Sequence, residues 1–364
     1  MAWKNIISIK AKEGVSSMDV KTVYEKLIQA RRPKDFFGEI ENVRELHSIY
    51  KKVCKEIHPD VVGPDDIYYA NEAFIILHRL YVQGVTEYDN GVYDAETSDE
   101  EYKKTLPIFQ VCYCEKRYEF FSRLQTGEVA EIFEGVCDKQ PVCIKIPISN
   151  DDSHLIENEY EILFKLRHQS LPYAEDKFSI NGATCFTMRK IDGIRVEELM
   201  RQYPSGVPAE HVLWMVERLL SVDGFLHINN IVHGNIKPDN LIINKQNHNV
   251  TLTGFSFAIS DANKESAKYK IKNKYYSADE VGSGAHVEPS TDIYSIGKVA
   301  IYLMGGYVEN DTMPSSVGAR VKDFILRMVS KDPKKRPFDA WKLYKELQEL
   351  RTEIYGAERF KTLR

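Results

Sequence analysis

The sequence predicts a multidomain protein in which an all-α domain precedes a larger α+β domain. Its 364 residues exceed what one hydrophobic core usually supports, so at least two domains are expected. Apolar residues recur at helical spacing from about residue 19 to 83, whereas short strand-like segments begin near residue 116. The change from helical spacing of apolar residues to strand-like segments therefore predicts a helical domain first and a mixed α+β domain second.

Composition and charge are those of an ordinary folded protein. Hydrophobic residues make up 43% of the chain and charged residues 28%, with a net charge of −5. This balance gives no electrostatic reason to expect nucleic acid or a membrane as a partner. The first residues lack the apolar core of a secretion signal, and no apolar run is long enough to cross a bilayer. A cytoplasmic location is predicted.

The six cysteines are scattered and form no C-x-x-C pair. This spacing favours reduced thiols over disulfides or zinc ligation. The sequence therefore predicts no metal site. The positions are Cys54, Cys112, Cys114, Cys137, Cys143 and Cys185.

The spacing of apolar residues in the N-terminal region predicts three helices. They span residues 20–30, 42–57 and 66–83. In the second, apolar residues recur on one face while Lys51, Lys52 and Lys55 lie elsewhere on the helix. The tripeptide His58-Pro59-Asp60 follows, and the residue before a proline is disfavoured in a helix. One face of this helix is expected to pack in the hydrophobic core, and another to carry the basic side chains.

Residues 19–90 resemble a J domain, the helical-hairpin module of DnaJ-type co-chaperones. The resemblance rests on residues 24–27, the His58-Pro59-Asp60 turn and residues 71–77, with an apparent insertion at 31–38. It implies a DnaK-type chaperone as partner. Lys51, Lys52 and Lys55 would supply docking charge, and His58, Pro59 and Asp60 the specific contact. The alternative is a small helical domain whose proline only stops a helix.

Three segments are predicted to lie outside the domains. Residues 1–18 form an N-terminal extension, and residues 357–364 form a C-terminal tail. Between the domains, residues 91–115 are predicted as an acidic linker, because residues 94–101 are rich in acids and poor in large apolar side chains.

Residues 231–260 resemble the catalytic segment of a protein kinase. His233, Lys237, Pro238, Asn240 and Phe255 match that family's pattern. The two catalytic carboxylates do not: Asn235 stands where the family has the base, and Gly254 where it has the metal-binding aspartate. The resemblance covers about residues 116–350 and implies a small lobe at 116–190 and a large lobe at 191–356.

The same resemblance implies a nucleotide-binding set. Gly127 lies in the glycine-rich loop, Lys145 is the phosphate-binding lysine and Glu159 its partner. Met188 would lie at the back of the pocket, and Asn240 would be the surviving metal ligand. A second pair, Glu280 with Arg336, is expected to stabilise the large lobe.

The sequence alone therefore predicts a pseudokinase rather than an enzyme. A general base contributes about 10²–10⁴-fold in rate, and Asn235 cannot take a proton. The predicted function is a J-domain co-chaperone whose kinase-like domain binds or senses an unknown protein client or regulator. No cofactor is established; ATP is left open as a ligand, with Mg²⁺ weakly bound or absent. The alternative is a divergent ATP-binding protein kinase, or another phosphoryl or nucleotidyl transferase, that uses non-standard acids.

Overall fold

The computed structural model divides into two compact units, with the boundary between Leu106 and Pro107. Each unit has a hydrophobic core of its own. The structure describes residues 19–30, 32–57, 62–63, 66–89, 91, 93–94, 107–264, 267–282, 286–356 and 363.

Four helices build the described part of the N-terminal unit: α1 (Val20–Gln29), α2 (Pro33–Phe37), α3 (Val43–Ile57) and α4 (Ile67–Asp89). The three predicted helices are present, and α4 continues beyond the predicted end at residue 83. The segment predicted as an insertion contains α2, which begins at a proline and ends at Gly38 with φ +75°. His58, Pro59 and Asp60 lie outside the described residues.

The core of the N-terminal unit forms where α1, α2 and α3 pack against α4. Leu27, Leu46 and Leu77 are fully buried there. Ile57, the last residue of α3, is also fully buried and fixes the end of that helix against the core. Fully burying a leucine side chain contributes about 1.5–3 kcal/mol. The apolar face predicted for the second helix is therefore confirmed.

The small lobe of the second unit is a six-stranded antiparallel sheet in the order β1-β2-β3-β4-β6-β5. Helix α5 (Ser153–Lys165) packs against it. The strands are β1 (Phe109–Tyr113), β2 (Lys116–Thr126), β3 (Ala130–Cys137), β4 (Gln140–Pro147), β5 (Ala174–Ile180) and β6 (Ala183–Arg189).

Strand β1 falls inside the segment that the sequence predicts as linker. Its Phe109 stacks on Phe120 with ring centroids 4.9 Å apart and meets Phe133 edge-on at 5.1 Å. These aromatic contacts join residues 109–113 to the sheet. The acidic residues that suggested a linker lie only N-terminal to this strand.

The large lobe is mainly helical, and α7 and α8 form its buried centre. Its elements are β7 (Ile194–Arg195), α6 (Val196–Gln202), α7 (Ala209–Ile228), β8 (Ile231–Val232), β9 (Leu241–Ile243), β10 (Val250–Leu252), β11 (Ile259–Ser260), α8 (Ser290–Leu303), α9 (Ala319–Met328) and α10 (Ala340–Tyr355).

Two antiparallel strand pairs hold the predicted catalytic segment. β9 pairs with β10, and β8 pairs with β11, so residues 233–240 and 253–258 form neighbouring loops. The expected Glu280–Arg336 ion pair is present at 2.6 Å, with the arginine side chain fully buried. The predicted two-lobed α+β arrangement is confirmed. None of the described helices is both long and apolar enough to cross a membrane.

Candidate active site

A cavity of about 350 Å³ lies between the small and large lobes. The structure brings the whole predicted nucleotide-binding set to its walls. That set is Gly127, Lys145, Glu159, Met188 and Asn240, together with the replaced positions Asn235 and Gly254. Residues from β4, α5, β6, the turn after β2 and the two loops of the catalytic segment thus converge on one site.

The small-lobe wall centres on a buried ion pair. Lys145 Nζ lies 2.5 Å from Glu159 Oε2, and the side chains are only 8% and 3% exposed. Ser256 Oγ completes the group: it accepts from Lys145 Nζ at 3.0 Å and donates to Glu159 Oε2 at 2.5 Å. A buried charge pair is stable only when its remaining hydrogen-bonding capacity is satisfied. Lys145 and Glu159 thus lie together as the resemblance implies, and their binding of a nucleotide stays a prediction. Ser256 was not among the predicted site residues.

Helix α5 is held in place by contacts with the segment that follows β10. The Asn158 side-chain amide donates to the carbonyls of Phe255, Ser256 and Ala258 at 3.3, 3.4 and 3.1 Å. Phe255 itself is fully buried. Glu159, the next residue along the helix, is thereby directed toward Lys145.

The opposite side of the cavity, here called the loop wall, is formed by the loops at residues 233–240 and 253–258. Hydrogen bonds hold these two loops in the arrangement expected of a kinase. The Asp292 carboxylate accepts the backbone N–H groups of His233 at 2.6 Å and Gly234 at 2.8 Å. His233 Nε2 lies 3.0 Å from the Thr253 carbonyl oxygen, and its ring meets Phe255 edge-on at 4.5 Å. Burial lowers the pKa of His233. A neutral imidazole therefore connects the two loops.

Asn235 occupies the position of the missing base, and its side chain is already engaged. Its Oδ1 accepts from the Asn273 amide at 2.6 Å, while its backbone carbonyl accepts from Asn240 Nδ2 at 2.8 Å. The residue is only 4% exposed. A carboxamide in this position can orient a hydroxyl group but cannot remove a proton at neutral pH.

Gly254 occupies the position of the missing metal ligand. Its φ is +81°, and a Cβ there would lie 2.7 Å from the Asn240 side chain. The amide of Asn240 therefore fills the space that a side chain at position 254 would need. The usual two-ligand Mg²⁺ site does not fit these residues, because one of its two side-chain ligands is missing and its place is taken.

Four further acids line the cavity, Glu128, Glu134, Glu198 and Asp239, and two of them lie at the turn between β2 and β3 and beside Asn240. Glu128, at the turn between β2 and β3, forms a 2.6 Å ion pair with Lys237 in the loop before β9. Asp239 lies next to Asn240. No sequence motif points to Glu128, since its role depends on a partner 109 positions away.

The residues predicted to contact a chaperone belong to the other unit. Lys51, Lys52 and Lys55 are exposed on α3. His58, Pro59 and Asp60 fall outside the described residues. The three lysines are therefore available at the surface for a partner.

Comparison with known proteins identifies the second unit. The family model of the protein kinase domain matches residues 118–312. Myosin light chain kinase A from Dictyostelium discoideum is 24% identical over 250 residues, covering 61% of this chain and 84% of that protein. Calcium/calmodulin-dependent protein kinase type 1 from Caenorhabditis elegans is 24% identical over 209 residues, covering 53% and 57%. Cyclin-dependent kinase-like 5 from Mus musculus is 28% identical over 150 residues, covering 41% and 16%.

These matches correct the prediction that the chain is not an enzyme. The family model and these relatives indicate a protein kinase, so the absence of two carboxylates was given too much weight. Phosphoryl transfer depends mainly on positioning and electrostatic stabilisation, and much of that framework is present here. The chain spans only about a sixth of the length of cyclin-dependent kinase-like 5.

Proposed function

The chain belongs to the protein kinase family, and from that premise we propose that it is a divergent protein kinase that binds ATP between its lobes. The observation that carries this proposal is the buried Lys145–Glu159 pair, completed by Ser256, at the wall of the cavity. A fixed ammonium group at this place is suited to bind nucleotide phosphates. The reaction would transfer the γ-phosphoryl group of ATP to a protein hydroxyl group.

The chemistry has to proceed without the usual acids. Asn235 can orient an attacking hydroxyl through its amide, and Lys237 can neutralise phosphate charge once it is released from Glu128. Asp239 and Glu128 are carboxylates at the cavity wall that replace no family acid by position. We expect slow transfer, since a missing general base alone costs about 10²–10⁴-fold.

The test is incubation with γ-labelled ATP and generic protein substrates, with Mg²⁺, with Mn²⁺ and with neither. Wild type should transfer label, and the double variant Lys145→Met/Glu159→Gln should not. The double variant removes both charges, so no buried charge is left unpaired. Lys116→Ala is the matched control, because Lys116 pairs with Asp176 in the same sheet and does not line the cavity. Transfer that is equal in all three proteins, or absent from wild type, would refute the proposal.

A second candidate function belongs to the N-terminal unit. We propose that it is a J domain that stimulates a DnaK-type chaperone ATPase. Supporting this, the exposed lysines of α3 lie on a helix whose other face packs on α4, and α3 ends directly before His58. Such a basic surface suits an acidic partner and would set the association rate.

This second proposal is tested by ATP hydrolysis of a DnaK-type chaperone with and without the full chain. His58→Gln should abolish stimulation while leaving the melting temperature nearly unchanged. Charge reversal at Lys51 and Lys55 should weaken binding most at low salt. Lys26→Glu, on α1, is the control for a charge change within the same unit. If His58→Gln stimulates as well as wild type, the turn only ends a helix.

A further inference from the structure

A cluster of three potential metal ligands lies inside the large lobe, away from the cavity. Asp223 and His227 are one turn apart on α7, and Asp292 is near the start of α8. His227 Nε2 is 3.0 Å from Asp223 Oδ1 and 3.6 Å from Asp292 Oδ2. The three ligand atoms all lie within 4.8 Å of one another. None of the three residues lines the cavity.

Hydrogen bonding leaves this cluster incomplete. Asp223 is fully buried, yet neither of its carboxylate oxygens accepts a well-aligned hydrogen bond, and the nearby His227 Nε2 makes none either. Asp292 differs, because its oxygens accept the backbone N–H groups of His233 and Gly234. A buried carboxylate without an aligned donor is costly, and such groups are normally paired or bind a metal.

The net charge of the cluster also favours a bound metal ion. Among the described residues, no lysine or arginine forms an ion pair with Asp223 or Asp292. Two buried carboxylates carry a charge of −2, and a protonated His227 would neutralise only half of it. A divalent cation with a neutral imidazole neutralises all of it.

The spacing also suits a metal ion. Residues at i and i+4 of a helix lie on one face, a common source of two ligands. Tetrahedral Zn²⁺ with bonds of about 2.0–2.2 Å separates its ligand atoms by about 3.3–3.6 Å. The measured separations are 3.0 Å, just below this range, and 3.6 Å, at its upper end. We propose that Asp223, His227 and Asp292 bind a divalent transition-metal ion of the Zn²⁺ class, which joins α7 to α8 beneath the backbone of His233 and Gly234.

The experiment measures metal content and does not depend on kinase activity. The full chain is purified without a metal-affinity step, unfolded with chelator, refolded with Zn²⁺, desalted and analysed by mass spectrometry. Wild type should retain about one Zn²⁺ per chain, whereas Asp223→Asn should lose at least about nine-tenths of it. His248→Asn, a change at another buried histidine of the same lobe, should retain the metal.

Refolding with Co²⁺ supplies a second readout, because a site of nitrogen and oxygen ligands gives a visible absorption band that Asp223→Asn should lack. If Asp223→Asn does not refold, His227→Gln takes its place. Near-UV circular dichroism monitors the fold of each variant. Wild type that refolds without retaining Zn²⁺ would overturn the proposal, and so would equal Zn²⁺ in Asp223→Asn, since the metal would then be bound elsewhere, for example by cysteines.

Discussion

The two walls of the cavity differ in how far they keep the arrangement expected of a kinase. On the small-lobe wall, Lys145 and Glu159 form a closed network of short contacts with Ser256, which reaches them from the loop after β10. On the loop wall, Asn235 and Gly254 occupy the key positions, and the Asn240 side chain fills the space beside Gly254. Under the proposed function, the contrast teaches that nucleotide binding and assistance to the chemistry would depend on different residues: the small-lobe wall keeps its charged pair while the loop wall has lost both acids.

The largest effect should come from breaking the small-lobe wall. Lys145→Met leaves the Glu159 carboxylate buried and unpaired, so the free energy of unfolding should fall by about 3–5 kcal/mol. Denaturant unfolding measures this. Lys145→Met/Glu159→Gln should recover most of the loss, because the glutamine that replaces Glu159 carries no charge. A single variant as stable as wild type would mean that Glu159 does not need its partner.

Restoring an aspartate at position 254 of the loop wall should not restore Mg²⁺ binding. Gly254→Asp adds a Cβ 2.7 Å from the Asn240 side chain at a left-handed position, so stability should fall by about 2–3 kcal/mol. It should also fail to increase the ATP-dependent melting shift in Mg²⁺. Gly254→Ala isolates the backbone and contact cost without adding a charge. A gain of Mg²⁺-dependent ATP binding in Gly254→Asp would show that Asn240 moves aside readily.

Acid should weaken the large lobe, which carries the loop wall. Burial, with help from His211, Arg218 and Arg351, lowers the pKa of His248 to about 4, although Glu210 opposes the shift. In the unfolded chain a histidine titrates near about 6.5. His248 is neutral in the fold, so the unfolded state binds more protons below that pH.

The stability that His248 contributes is therefore present above about pH 6.5 and is lost as pH falls toward about 4, by about 3 kcal/mol. Thermal melts at several pH values measure the slope. His248→Asn should flatten it, since asparagine tolerates the positive φ of +53° at this position. An unchanged slope in the variant would assign the acid sensitivity to other groups.

The smallest effect concerns the ion pair between Glu128 and Lys237, one of the contacts that join the two walls. Glu128 lies 2.6 Å from Lys237 and neutralises its charge, so Lys237 attracts a phosphate group less strongly while this pair is intact. Glu128→Gln should therefore tighten ATP binding, by a factor of about 3 to 5 at low salt, because an ion pair with one exposed partner, as here, contributes about 1 kcal/mol. High salt should erase the difference.

Glu131→Gln is the matched control for that measurement. It removes an acid from the same hairpin that pairs with Arg123 at 2.7 Å and does not line the cavity. Binding is followed by the ATP-dependent melting shift. Equal gains in both variants would trace the effect to the net charge of the hairpin rather than to Lys237.

The sequence by itself determined that helices come before the mixed region, three of the four described helices of the first unit, and the chain positions of Lys145, Glu159, Asn235 and Gly254. These depend on local period and on motifs a few residues long, which an unfolded chain already contains. The same information led to the wrong conclusion that the chain is not an enzyme, because a motif records a missing side chain but not the framework that remains.

Only the tertiary structure decided which distant groups meet. Ser256 lies 111 positions from Lys145, Glu128 lies 109 positions from Lys237, and Asp292 supports a backbone 59 positions away. The sequence shows Asp223 and His227 four positions apart on one helix, but the third residue of the cluster, Asp292, comes from another helix. Such contacts form because helices and strands bury their apolar faces together, and the polar groups carried with them must then satisfy one another out of water.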